Sequence, residues 1–213
     1  MIDELREELY LYNLLRQIFL KEPSKELIHD MGMIELTSGN PEISELKSFV
    51  EDMPGYGLRL MVGAIRKNEN TLNEWIEDLA LEYARLFIGP QNPPAVPYAS
   101  FYLSESHSLM TDETIDVRKQ YLEAGMAVKE LYSIPDDHIG IELEFVYYLT
   151  QKTIEFFERE QRDEAARLFE IRGNFLNNHM AQWVPLFVAR ILNSTHEDFY
   201  KGAAFILRGI IAS

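Results

Sequence analysis

Acid–base side chains crowd one short stretch of this sequence: Asp136, Asp137, His138 and Glu142. His138 and Glu142 are four residues apart, so on a helix they share a face, where they could hold a metal ion or form a hydrogen-bonded pair. Asp136 and Asp137 stand where a helix begins. There they can accept hydrogen bonds from its free N–H groups, and their charge suits the positive end of its dipole. His138 is pulled two ways, because the carboxylates favour its charged form and a helix N-terminus disfavours it. Other catalytic patterns are missing. Glu26-Leu27-Ile28-His29 is a single E-x-x-H, whereas a di-iron bundle needs two on facing helices. His107, His179 and His196 lie apart without ligand spacing. There is no phosphate loop, dinucleotide turn, nucleophile elbow or H-E-x-x-H helix. The absence of cysteine rules out disulfides, thiolate metal sites and a thiol nucleophile.

The elements that would position these residues read as helices throughout. Pro135 disfavours helix at Ile134, and from Ile139 apolar residues return at helical spacing (Leu143, Val146, Thr150, Ile154, Phe157), so two helices meet at Ile134–Phe145. Upstream, a helix covers 2–20, and Pro23 and Ser24 end it and start another. Asn40-Pro41 opens a helix over 41–52, Pro54 and Gly55 stop it, and a further helix covers 57–67. Thr71-Leu72-Asn73-Glu74 is a capping box for a helix over 72–88, whose stripe Trp75, Leu79, Tyr83 and Phe87 has the spacing of a core face. Then comes a proline-rich segment from Gly89 to Tyr102, stiff and extended, carrying Tyr98, Phe101 and Tyr102. Asp112 caps a helix to about Ser133, and a long helix covers 138–160. Two helices fill 163–192, the second starting near Gln182 and Pro185. A second capping box at Ser194–Glu197 opens the last helix to about 212. No run alternates like a strand. The fold class is all-α, a bundle of nine or ten helices with one long proline-rich loop.

Bulk properties narrow the function. A hydrophobic content of 46% over 213 residues is that of a globular chain. Acidic residues number 35 against 20 basic ones, a net charge of −15. Such a surface repels phosphate backbones and anionic lipid and favours cationic partners. The acidic start Met1–Glu8 lacks the features of a signal peptide, and the longest apolar run, Ala203–Ala212, is broken by Arg208. These features fit a cytoplasmic location.

Four blocks in order over residues 82–145 resemble the TorD/DmsD family of redox-enzyme maturation chaperones. They are Glu82-Tyr83-Ala84-Arg85-Leu86-Phe87-Ile88-Gly89-Pro90; Pro97-Tyr98-Ala99-Ser100-Phe101-Tyr102; Leu109-Met110 with Thr114, Val117, Arg118, Tyr121 and Gly125; and Pro135-Asp136-Asp137-His138-Ile139-Gly140 with Glu142-Leu143-Glu144-Phe145. One departure is Ala99, where the family often carries Glu. The resemblance implies a cytoplasmic, cofactor-free chaperone and no enzyme. It would bind the twin-arginine leader and the immature catalytic subunit of a molybdenum or tungsten oxidoreductase, assist insertion of the molybdopterin cofactor and delay export. It also implies an N-terminal helical region (1–133, with the loop 89–111), a hinge at 134–138 and a C-terminal helical region (139–213), as a monomer or a domain-exchanged dimer. Leader binding is associated with the positions of Asp137 and His138.

On this reading Asp136, Asp137 and Glu142 receive the arginine pair, since carboxylate pairs bidentately with guanidinium. Tyr83, Phe87, Tyr98 and Tyr102 line an apolar groove, with His138 and Ser100 completing the peptide-binding set. Arg118 pairs with a neighbouring carboxylate. The competing readings are a helical adaptor for another partner and a metal-dependent helical enzyme using His138 and Glu142.

Overall fold

The computed structural model of the chain describes residues 1–36, 53–90, 93–126 and 134–211. Helix α1 (Ile2–Leu20) is followed by α2 (Lys25–Leu36), and Ser24 Oγ accepts the Leu27 N–H at 3.2 Å, capping α2. The helix expected over 41–52 lies outside the described residues. Helix α3 spans Met53–Lys67. Pro54 lies in the first turn of α3, where there is no hydrogen bond for proline to lose. A 3₁₀ turn, Glu69–Thr71, leads into α4 (Leu72–Tyr83), and the Thr71 side chain makes no cap bond. The expected box is replaced by a backbone bond from Thr71 N–H to the Asn68 carbonyl at 3.0 Å. Helix α4 continues into a π turn, Ala84–Ile88, closed by Gly89 N–H on the Ala84 carbonyl at 2.7 Å.

After the single turn α5 (Ala99–Leu103) comes α6 (Asp112–Glu123), which stops well short of Ser133. Gly125 takes φ +81° and Met126 N–H reaches back to the Tyr121 carbonyl at 2.9 Å, a glycine-terminated helix end. Helix α7 spans Ile139–Glu158. Helix α8 (Arg162–Phe175), a second π turn (Leu176–Met180) and α9 (Ala181–Ser194) follow in sequence, so the second helix starts beside Gln182 as expected and Pro185 lies inside it. Thr195 Oγ1 accepts the Glu197 N–H at 3.1 Å ahead of α10 (Asp198–Ile211). The architecture is all-α, and the isolated antiparallel bridge between Tyr98 and His138 is the β-type pairing found among the described residues.

Contacts divide the chain into two compact units, one made of Met1–Leu20 and Pro97–Val184, the other of Lys21–Val96 and Pro185–Ser213. The boundaries differ from a linear division at 134–138. That joint is interior to the first unit, because α1 packs along α7 and α7 along α8. The first unit's core holds Leu15, Ile18, Leu143 and Val146, with Tyr121, Phe145 and Phe175 in ring contact at 4.5–6.2 Å. Charged pairs tie α1 to this core. Arg16 meets Glu144 and lies over the Tyr147 ring at 4.5 Å, while Arg172 meets Glu8 and the Tyr12 hydroxyl.

In the second unit α3 and α10 touch through glycine. A Cβ on Gly57 would sit 2.4 Å from the Gly202 carbonyl oxygen, and one on Gly202 would sit 2.4 Å from Met61 Cγ. Around this seam Trp75, Leu79, Tyr83 and Phe87 are buried, as their spacing implied. Phe87 faces Phe187 and Tyr200 at about 6 Å between ring centres.

Candidate functional site

The joint before α7 is a tight turn in which His138 N–H donates to the Pro135 carbonyl at 3.0 Å. His138 itself is the N-cap of α7, its Nδ1 accepting the Gly140 N–H at 3.0 Å. An accepting Nδ1 must be unprotonated, so the ring is the neutral tautomer. Burial drives its pKa down to about 4, against the opposing pull of Asp137. Gly140 leaves no room for a side chain, since a Cβ there would lie 2.6 Å from Leu20.

Asp136 and Asp137 therefore do not cap α7; each holds another element to the joint. Asp137 accepts the Ser100 N–H at 2.8 Å on one oxygen and the Thr114 hydroxyl at 2.9 Å on the other. The backbone adds two bonds at 2.9 Å, Ala99 N–H to the Asp137 carbonyl and Ile139 N–H to the Pro97 carbonyl, which clip the proline segment to the turn. Asp136 pairs with Arg118 of α6, whose Nε and Nη2 both lie 2.5 Å from Oδ2. The Asp136 carbonyl accepts the Tyr121 hydroxyl at 2.8 Å. One turn into α7, Glu142 faces His179 Nε2 at 2.6 Å and accepts from Trp183 Nε1 at 3.2 Å. Burial pushes the Glu142 carboxyl up. His179 is also raised, the Glu142 charge and hydrogen bond together outweighing the downward effect of its burial, so the pair keeps a shared proton to higher pH than either group alone.

The structure brings Ser100, Asp136, Asp137, His138 and Glu142 together, all buried, with Tyr98 and Tyr102 half-buried beside them in the first unit. Tyr98 meets the His138 ring edge-on at 5.1 Å, and Tyr102 stacks on Trp183 at 5.5 Å. Tyr83 and Phe87 belong to the second unit and lie in its core, their rings 5.2 Å apart. The metal reading of His138 and Glu142 does not fit this geometry. Their polar atoms serve Gly140 on one side and His179 with Trp183 on the other, and no cluster of three potential ligands occurs among the described residues. Thr114, His179 and Trp183 are hydrogen-bond partners of the joint that local sequence reading misses. They meet the joint over separations of 23 to 41 residues, where no spacing rule operates.

Beside the joint opens an apolar cleft of about 210 Å³, lined by Met110, Thr111, Thr114, Ile115, Arg118, Ile134 and Pro135. Two of its lining residues are exposed and apolar, Met110 at 68% and Ile115 at 51%, and Leu122, two turns along α6 from Ile115, is 61% exposed on the same helix face. Met110 has φ +58° and His107 φ +50°, a left-handed conformation that costs a non-glycine residue of the order of 1 kcal/mol or more.

The fold matches that of a protein assigned to redox enzyme maturation from Archaeoglobus fulgidus. The match covers 94% of this chain and 90% of that crystal structure, with a TM-score of 0.54 at 20% sequence identity. Among the described residues no helix is long and apolar enough to cross a membrane. The fold is that of a helical redox-enzyme maturation protein. Residues 44–189 match the family described as nitrate reductase delta subunit, and the chain belongs to that family, the family of the TorD chaperones. It is 26% identical over 208 residues to the chaperone protein TorD of Vibrio parahaemolyticus, covering 96% of this chain and 90% of that one. It is 27% identical over 207 residues, with the same coverage, to the chaperone protein TorD of Photobacterium profundum.

Proposed function

We propose that this chain acts in the cytoplasm as a non-enzymatic, cofactor-free chaperone. It binds the twin-arginine leader and the immature catalytic subunit of a molybdenum or tungsten oxidoreductase, assists insertion of the molybdopterin cofactor and delays export until that is done. The observation that carries this reading is an exposed apolar cleft set against a buried carboxylate and its partly exposed guanidinium partner, on a protein of net charge −15. A leader presents arginines followed by roughly 7–15 apolar residues. The acidic surface would speed encounter with that basic end, most strongly at low salt. Met110, Ile115, Ile134 and Pro135 would take an aliphatic side chain, since a cavity of about 150 Å³ already accommodates benzene. Asp137, His138, Ser100 and Glu142 would act by holding the joint in shape, with Tyr98 and Tyr102 offering aromatic faces beside it and Tyr83 and Phe87 supporting the second unit's core.

Calorimetry with a synthetic leader tests this. Ile115→Glu alters an exposed residue, so the thermal midpoint should hold while leader affinity falls by about tenfold or more, roughly 1.4 kcal/mol. No binding by the wild-type chain, or an Ile115→Glu affinity within a factor of two of wild type, would count against the proposal. A native-cell pull-down that recovers partners but no oxidoreductase subunit would favour the helical adaptor instead.

A further inference from the structure

The joint carries three buried carboxylates, and they are not equally available to an incoming cation. Both oxygens of Asp137 are engaged by groups fixed to the fold, the Ser100 N–H and the Thr114 hydroxyl. Glu142 is enclosed between His179 and Trp183. Asp136 alone of the three is paired with a long, flexible side chain, and that side chain forms part of the cleft wall. Asp136 is 2% exposed and Arg118 33%. Two nitrogens of the guanidinium, Nε and Nη2, converge on one oxygen, Oδ2. Around the pair run exposed aliphatics, Ile115 and Leu122 flanking Arg118 at i−3 and i+4 on one face of α6, and Met110 on its left-handed turn. Methionine adapts to varied apolar partners.

We propose that Arg118 holds the place of a client guanidinium: an arginine of the leader takes over Asp136, Arg118 swings into solvent, and a neighbouring apolar side chain of the leader enters the cleft. This rests on the leader-binding reading above and names the carboxylate that does the recognising. Exchange has a physical merit over simple addition. A buried carboxylate stripped of its partner is strongly destabilising, whereas one guanidinium replacing another leaves Asp136 paired at both ends of the process. A lysine ammonium, a point charge without the planar fork, gains less from the same move, so the site discriminates arginine from lysine. Because Asp136 is open to a client only when Arg118 is out, the observed affinity is reduced by that fraction of time.

Calorimetry with matched leaders carrying Arg-Arg or Lys-Lys decides it. Arg118→Gln removes the internal competitor and should bind the Arg-Arg leader about 10–100-fold more tightly, the gain expected if Asp136 is open roughly 1–10% of the time. Arg118→Lys should fall between that variant and wild type, and it decides the case if the glutamine variant does not fold. Asp136→Asn should lose the preference for Arg-Arg over Lys-Lys. N-Ethylguanidinium should raise the thermal midpoint of Arg118→Gln, by mass action on the emptied place, and leave wild type unmoved. If wild type binds leader while the folded Arg118 variants bind it no better, exchange is wrong although leader binding stands. If wild type binds no leader at all, the parent reading falls, and a flat N-ethylguanidinium response in Arg118→Gln would remove the exchange idea with it. A dimer in solution that Ile115→Glu splits, with leader affinity unchanged, would assign the cleft to a second copy and overturn the proposal.

Discussion

The two units are held together by opposite means. The first buries polar groups: Asp136, Asp137 and Glu142 lie inside it, each satisfied by a partner from elsewhere in the chain, and neutral His138 caps α7 beside them. The second closes on a glycine seam between α3 and α10 and on interleaved rings, with charged pairs such as Glu82–Arg85 toward its surface. Close apolar packing carries no titrating group and is destabilised by added atoms. A buried polar network is directional and conditional, strong while every member is satisfied and costly when one is missing. The contrast teaches where to look for recognition: the unit with a directional polar network inside it also opens an apolar cleft at its surface.

The contrast breaks most visibly at Asp137. Asp137→Ala strands the Ser100 N–H and the Thr114 hydroxyl and should lower unfolding free energy by about 3–5 kcal/mol in a denaturant titration. A loss below about 1 kcal/mol would mean the clasp contributes little. Acid is the next largest lever. His138 has its folded pKa lowered from 6.5 to about 4, so between those values the unfolded chain binds more protons than the folded one. Stability from this group is complete above about pH 6.5 and is lost as pH falls toward 4, a term on the order of 3 kcal/mol. Glu142 and His179, both shifted up, slope the other way, so the quantity to read is the difference from His138→Asn, which keeps a capping side chain and removes the titration. That variant should show a shallower acid limb in thermal melts at stepped pH.

In the second unit, Gly202→Ala pushes a methyl group into Met61 and the Gly57 carbonyl and should cost about 1–3 kcal/mol. Its cost should be equal at pH 5 and pH 7; a cost that tracks pH would erase the distinction between the units. Smallest is Ser100→Ala. The Ser100 hydroxyl is buried without a hydrogen-bond partner among the described residues, while its backbone N–H serves Asp137. Removing it should leave the thermal midpoint unchanged or raise it by an amount worth up to about 1 kcal/mol. A clear loss of leader affinity with no loss of stability would instead place that hydroxyl in contact with the peptide.

Much of the helical plan was legible because its signals are local. Ser24, the run from Ile139 and the stripe Trp75–Phe87 each act within a turn or two. The end of α6 was readable in principle from Gly125, but the apolar residues beyond it kept the helical pattern going past the true stop. The π turns left no trace, since one extra residue in a turn changes no composition. At the joint, the residue types pointed to the right place and the wrong geometry. Two aspartates before a helix read as caps, yet the cap is His138, because the bridged segment Pro97–Ala99 brings the Ser100 N–H to Asp137 from outside the local window. The aromatic pair Tyr83 and Phe87 separated from Tyr98 and Tyr102 for a similar reason: sequence proximity says nothing about which unit a residue joins.

The π turn Leu176–Met180 acts as a shim one residue thick, with Ala181 N–H reaching the Leu176 carbonyl across it. Excising solvent-facing Asn178 would let the coil relax to ordinary α pitch and turn His179 by about 100° relative to α8. The imidazole would then no longer look at Glu142, although neither residue had been altered. A single lost or gained codon is thus enough to uncouple or restore that proton-sharing pair, a route by which descendants of this chain could retune acid sensitivity without touching a charged side chain.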